Sequence, residues 1–338
     1  MNNIEKDYEK YLTMPIREDR KPLHELLPVA HPLRLLIDPS DICNFRCEFC
    51  FQSKTKYPGI KMSMETFNRI IEQLKDFKEP INVIHLYGLG EPLVNSDIPD
   101  FVRIIKSTGV AREIAITTNG SLLTKEMADR LAAAGPNRIS ISLNGICDEH
   151  FKKHVGVAVD FERMYRQIQY FYSIRGNCHL HVKINGDYFS EEEKAEFVRL
   201  FKDCTDSINI DHIVNVWPGL KVSEKKQRMY DYDLDNLNNQ GNGRPPVCPL
   251  MFYELLVHSD GRVSPCAVDY EFDKQNLGSI YDTTLADIWN GSQLKQMRLN
   301  ALEGSVSCYK ACNHCEYTNC ASTVNITPYR DALIPRYQ

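Results

Sequence analysis

Residues 41–50 read DICNFRCEFC, and the three cysteines there restrict the chain more than any other stretch. Cys43, Cys47 and Cys50 are separated by three and then two residues. Three thiolates this close cannot all pair as disulfides, because one is always left over. They can hold one iron–sulfur cluster, since a four-iron cluster takes four ligands and thiolate is its usual protein donor. Three ligands leave one iron open to a substrate or cofactor. A zinc site is the other reading of the same residues.

The rest of the composition fits an intracellular metal protein. The 338 residues suffice for one large domain or two of ordinary size. Apolar residues make 43% and charged residues 25%, which supports a core and excludes global disorder. A formal charge of −5 and no basic stripe speak against a nucleic-acid partner. The first forty residues are polar and charged, so no signal peptide is expected. No apolar run is long enough to span a bilayer. The expectation is a cytoplasmic protein without a membrane partner. Of twelve cysteines, three fall at 43–50 and six at 248–320. Without a secretion signal, grouped cysteines read as metal ligands rather than disulfides.

The chain order predicts an α/β fold. Residues 1–32 form an N-terminal extension with a short helix at about 3–12. Apolar strand patterns fall at 33–38, 81–87, 113–118, 138–143, 179–185 and 207–215, and helical patterns at 63–77, 97–108, 124–134, 160–174 and 190–202. Repeated βα units imply a parallel sheet with right-handed crossovers. Six of them predict a partial (β/α)6, TIM-like barrel over 33–217, with ligands at the carboxyl ends of its strands. Side chains alternate faces along a strand. Leu180, Val182 and Ile184 therefore oppose His179, His181, Lys183 and Asn185; Ile139, Ile141 and Leu143 oppose Ser140, Ser142 and Asn144; Ile208 and Ile210 oppose Asn209 and Asp211. The apolar faces belong against helices, so the interior is polar and suits water and ligands. Residues 218–246 are turn-rich and read as a linker or lid. After them FYELLVHSDGRVSPCAV predicts a hairpin turning at Asp260–Gly261. Two helices follow, giving a small C-terminal α+β domain at 247–325 and a tail at 326–338. His150 and His154 in HFKKH lack a partnering glutamate and read as a solvated helix face, and Cys178 and Cys204 as inert thiols.

The cysteine spacing, with Phe49-Cys50-Phe51, resembles the signature of the radical S-adenosylmethionine (SAM) enzymes. That resemblance implies a [4Fe-4S] cluster on Cys43, Cys47 and Cys50 whose free iron chelates the amino and carboxylate groups of SAM. It implies reductive cleavage of SAM to a 5′-deoxyadenosyl radical that abstracts hydrogen. YGLGEPL (87–93) resembles the family's glycine-glutamate-proline motif, in which the backbone at Gly88 and Gly90, with Glu91, receives the SAM amino group. The family's commoner form has adjacent glycines, where Leu89 intervenes here. Asn119, at the end of strand three, matches a position close to SAM. Ser142 and Asn144 in SLNG match contacts to the ribose or carboxylate, and Arg163 matches an arginine on the carboxylate, which a guanidinium fits well. Cys248, Gly261 and Cys266 resemble the start of the SPASM motif, a C-terminal extension that binds auxiliary iron–sulfur clusters. The full motif has seven cysteines and two clusters. The six here suit the one-cluster SPASM/twitch form, an auxiliary [4Fe-4S] cluster on Cys248, Cys266, Cys312 and Cys315. Cys308 and Cys320 are alternates, and zinc remains the other occupant of such a four-cysteine set.

A fully ligated auxiliary cluster has no open iron but can accept an electron. The expectation is a radical SAM oxidoreductase acting on a small-molecule substrate: a sugar, aminocyclitol or nucleotide sugar. A flavodoxin- or ferredoxin-type protein would be the electron donor. Oxidation of an alcohol also needs a base, and Lys183, His181, His85 and Asp211 lie on inward faces. Two alternatives stand beside it: a peptide maturase, and an epimerase in which Cys147, just past SLNG, returns a hydrogen atom.

Overall fold

The computed structural model describes residues 21–214, 216–217, 246–268, 276–313, 315, 317–320 and 324–338. The helix expected at 3–12, and the 218–246 segment but for its last residue, lie outside them. After a single helical turn, α1 (Leu23–Leu26), the βα alternation begins: β1 (Arg34–Ile37), α2 (Met64–Leu74), β2 (Ile81–Leu86), α3 (Ile98–Thr108), β3 (Ala111–Thr118), α4 (Lys125–Ala134), β4 (Arg138–Leu143), α5 (Asp148–Val155), α6 (Phe161–Ile174), β5 (His179–Asn185), α7 (Glu191–Phe201) and β6 (Ser207–Asp211). Local chemistry sets the helix ends. Ser63 Oγ accepts from Thr66 N at 3.0 Å to start α2, and Ser190 with Glu193 forms a capping box on α7. Gly109, at φ 68°, closes α3 in a left-handed turn that a side chain would strain.

Six strands lie side by side and parallel in chain order, and two more follow on the other edge of β1, giving the order β6-β5-β4-β3-β2-β1-β7-β8. Strand β7 (Glu254–Val257) pairs parallel with β1, and β8 (Val263–Ser264) folds back antiparallel on β7. The hairpin turns at Asp260–Gly261, with Gly261 at φ 87°. The sheet of the partial barrel therefore continues into the C-terminal region. Helices α8 (Leu285–Asn290), α9 (Ser292–Glu303), α10 (Lys310–Asn313), α11 (Tyr317–Cys320) and α12 (Arg330–Tyr337) complete it.

The alternation places the core. Ile139, Ile141, Leu143, Leu180, Val182, Ile184 and Ile208 are buried against the helices together with Leu35, Ile37, Ile84 and Ile114. Their neighbours turn to the inner face in register. Ser140, His181 and Ser207 form one row, and Ser142, Lys183 and Asn209 the next.

Two expectations change. Strand β6 stops at Asp211 rather than near 215, because the Asp187 carboxylate takes the next residues: Ile213 N donates to Oδ2 at 2.7 Å and His212 Nδ1 lies 2.8 Å from Oδ1. The HFKKH stretch is not a solvated face. It forms α5, whose Phe151 and Val155 are buried one turn apart and carry the adjacent histidines under cover. His154 is 3% exposed, stacks on Tyr188 at 4.1 Å and places Nδ1 3.3 Å from Glu48 Oε1, while His150 Nε2 lies 3.0 Å from Glu193 Oε1.

Candidate active site

Cys43, Cys47 and Cys50 lie on the loop that leaves the carboxyl end of β1. Three neighbouring segments hold that loop. The last turn of α5 accepts two of its amides, Arg46 N on Val155 O at 3.0 Å and Glu48 N on His154 O at 3.2 Å. The loop after β2 donates Glu91 N to Ile42 O at 2.9 Å. The loop after β3 contributes Asn119, whose Nδ2 donates to Asn44 Oδ1 at 2.9 Å. Gly88 and Gly90 serve this packing directly. A Cβ on Gly88 would meet Asp38, and one on Gly90 would stand 2.5 Å from Ile42 O and closer still to Ser40 O. The sequence reading gave these glycines to ligand approach; the structure shows that their missing side chains also admit the cysteine loop.

The three thiols act on one another. Burial first, then Cys50 and Cys43, push the Cys47 thiol far up, and burial and Cys43 lift Cys50 to about 11 against the Gln52 amide. Three cysteines on one loop supply the thiolate donors that an iron–sulfur cluster takes. Three such donors fit a four-iron cluster that keeps one iron open.

Glu91 is 3% exposed, and burial pushes its carboxyl up to about 7 despite three donors. Thr118 Oγ1 and Leu93 N donate to Oε1, and Asn119 N donates to Oε2 at 2.7 Å. The carboxylate thus ties the β2 loop to the end of β3 behind the cysteines. Ser142 and Asn144 stand half-buried at the carboxyl end of β4. Arg163 is exposed on the first turn of α6. Cys147 is the residue before α5, half-buried, and the carboxylate acting on it is that of exposed Glu149.

Further along the inner face, Lys183 Nζ donates to Asp211 Oδ2 at 2.8 Å, and Asn209 Nδ2 donates to Oδ1. His181 Nδ1 lies 2.8 Å from Ser207 Oγ; burial, then Lys183, lowers its pKa to about 4. Burial, then Arg34 and Arg138, lowers His85 to about 3, so both rings are neutral at neutral pH. Sequence reasoning missed the ion pair between Arg34 and fully buried Glu254. Its one signal was an acid inside the apolar run FYELLV.

A second set of thiols gathers at the other end of the sheet. Cys248 precedes β7, which runs parallel to β1, and Cys266 follows the antiparallel β8, so both lie at the amino end of β1. Burial, then Cys248, with Cys312 and Cys315, raises the Cys266 thiol, and Cys315 and Cys312 likewise raise Cys248. Cys308 is exposed, with its Sγ 3.5 Å from Ser305 O. Among the described residues no three His, Cys, Asp or Glu side chains converge on a single metal ion. The two thiol sets thus belong to opposite ends of the four-residue strand β1.

The family model described as the radical SAM superfamily matches residues 37–204, and that of the SPASM iron–sulfur cluster-binding domain matches 248–316. The chain belongs to the radical SAM superfamily. Its cofactors are accordingly a SAM-binding [4Fe-4S] cluster, SAM itself and an auxiliary iron–sulfur cluster. A probable GTP 3′,8-cyclase of Saccharolobus islandicus is 32% identical over 184 residues, 54% of this radical SAM chain and 57% of that protein. The chain thus spans little more than half the length of these curated relatives. Among solved structures, BtrN in complex with AdoMet and 2-DOIA matches with a TM-score of 0.54 at 18% identity, over 87% of this chain and 96% of that one. Streptococcus suis SuiB bound to precursor peptide SuiA matches with a TM-score of 0.60 at 18% identity, over 87% and 77%. These likenesses show the fold. No helix among the described residues is long and apolar enough to cross a membrane.

One buried acid beside the site makes a pH prediction. Asp38, at the end of β1, is fully buried, and burial, then Asp41, pushes its carboxyl from 3.8 up to about 8. The folded state therefore holds a proton that the unfolded chain releases, and stability falls as pH rises between about 4 and 8. The slope is at most about 1.4 kcal/mol per pH unit. Asp38→Asn is expected to remove this slope and to gain most at pH 8. Urea midpoints of the loaded protein at pH 5 and pH 8 check it; parallel shifts at both would refute it.

Proposed function

We propose that this radical SAM enzyme takes hydrogen from a carbinol carbon of a small hydroxylated substrate, a sugar or aminocyclitol, and oxidises it. The observation that carries the reading is the polar inner face, lined by Ser140, Ser142, His181, Lys183, Asn209 and Asp211, between two thiol sets at opposite ends of the sheet. When bound, the cofactors supply a 5′-deoxyadenosyl radical at one end and an electron acceptor at the other. Cys43, Cys47 and Cys50 hold the first cluster, and Cys248, Cys266, Cys312 and Cys315 the second. Gly88, Gly90, Glu91 and Asn119 keep the first loop in register, and in this reading Ser142 and Asn144 bind the ribose or carboxylate of SAM. Asp211 takes the hydroxyl proton while Lys183 orients it by their 2.8 Å hydrogen bond. Neutral His181, fixed by Ser207, positions rather than titrates.

The test is a panel of sugars and aminocyclitols deuterated at carbon, incubated anaerobically with reductant and SAM. Deuterium in 5′-deoxyadenosine together with a ketone product is the expected result. Label taken only from peptides, with every sugar returned unchanged, would replace this reading.

A further inference from the structure

The inner face and the C-terminal thiols share one charged element, the Arg34–Glu254 pair. The two residues stand directly opposite each other on β1 and β7. Arg34 Nε donates to Glu254 Oε2 at 2.6 Å, and Nη2 donates to the same oxygen. The other carboxylate oxygen, Oε1, accepts from Ala267 N at 3.3 Å, the amide that follows Cys266. Glu254 has no solvent exposure, whereas the Arg34 side chain keeps about a quarter of its surface and lies over the Tyr253 ring at 5.1 Å. Glu254 is thus anchored to the cysteine loop on one side and to an arginine on the other.

We propose that this pair sets the reduction potential of the auxiliary site, with Glu254 holding it down and Arg34 offsetting Glu254. The proposal rests on the assignment of Cys248, Cys266, Cys312 and Cys315 as that site's ligands. The physical reason is charge in a dry place. In the proposed reaction, oxidation of the substrate radical would release a proton to Asp211 and one electron to a cluster held by Cys248, Cys266, Cys312 and Cys315. That electron would add one negative charge beside the fully buried Glu254 carboxylate. Net charge and burial are among the factors that set iron–sulfur potentials. Glu254 Oε1 accepts from the amide next to Cys266 at 3.3 Å while Arg34 holds Oε2, so the carboxylate stands between the arginine and the cysteine loop. The arginine limits how strongly that carboxylate repels the incoming electron. Neither residue touches reacting atoms in this account; both are positioning residues for the electron step.

The experiment is an EPR-monitored redox titration of the full-length, iron-loaded chain carrying Cys43→Ala, Cys47→Ala and Cys50→Ala, so that one cluster remains. Glu254→Gln is expected to raise the potential by at least 59 mV, a tenfold change for one electron. Arg34→Gln is expected to lower it. Removing one member of a buried pair strands the other, so the double variant Arg34→Gln/Glu254→Gln serves as a second measurement. With both charges gone its potential should return toward the parent's. Potentials that stay put in all three variants, or that move the same way in both single variants, overturn the proposal and leave the ligand assignment standing. A parent chain that binds no cluster overturns that assignment and the proposal with it.

Discussion

Alanine at Gly90 is expected to empty the N-terminal iron site and to cut SAM cleavage to the level of Cys43→Ala, while the sheet stays folded. The added methyl has nowhere to go. Its carbon would stand 2.5 Å from the Ile42 carbonyl oxygen, 2.8 Å from the Asp41 carbonyl carbon and closer to Ser40 O, where real Cβ atoms keep beyond 3.0 Å. These are backbone atoms, which cannot rotate aside as a side chain can. They belong to the segment that delivers Cys43, and Ile42 O is also the acceptor for Glu91 N. The relief is a shift of that segment, and with it of the first cysteine. A misplacement of about 1 Å at a reacting centre costs on the order of a hundredfold in rate, and a lost ligand costs more. Iron per chain, 5′-deoxyadenosine formation and far-ultraviolet circular dichroism together read the outcome. Gly90→Ala protein that binds native iron and cleaves SAM at the native rate would show that the loop does not depend on this contact.

That packing role illustrates where the sequence stops being readable. Strands β4 and β5 match their predicted limits, 138–143 and 179–185, because their apolar and polar positions alternate without a break. The inner-face residues Ser142, Lys183 and Asn209 follow from the same period. Strand β6 is misjudged because its end is set by Asp187, a residue of another loop. The buried side of helix α5 is misjudged because lysines and histidines surround its two buried apolar residues, Phe151 and Val155. GLGEP is legible as a motif, but a motif does not say which backbone its glycines must admit. Arg34–Glu254 is less legible still. It depends on β7 returning beside β1 across 220 residues, and a single charge in an apolar strand does not name its partner. Short-range periodicity is written in the chain, and long-range pairing is made by the fold.

The same long-range pairing separates the two halves of the proposed reaction, and Cys248→Ala is expected to expose the division. The variant should cleave SAM at close to the native rate and form no net oxidised product. Cys248 lies at the amino end of the sheet, and the loop of Cys43, Cys47 and Cys50 leaves its carboxyl end, so the substitution leaves every contact that holds the first loop in place. It removes one of four thiols that act on one another. A substrate radical made in the variant has no acceptor for its electron. Substrate should then be recovered, or quenched without oxidation, while 5′-deoxyadenosine accumulates. The ratio of ketone to 5′-deoxyadenosine is the measurement, expected near one in the native protein and near zero in Cys248→Ala. Cys266→Ala should match it, since Cys266 stands in the same set. Cys308→Ala should not, since that thiol is exposed whereas Cys248 and Cys266 are half-buried. A native ratio in Cys248→Ala would mean that the electron leaves by another route and that the C-terminal thiols serve only the fold.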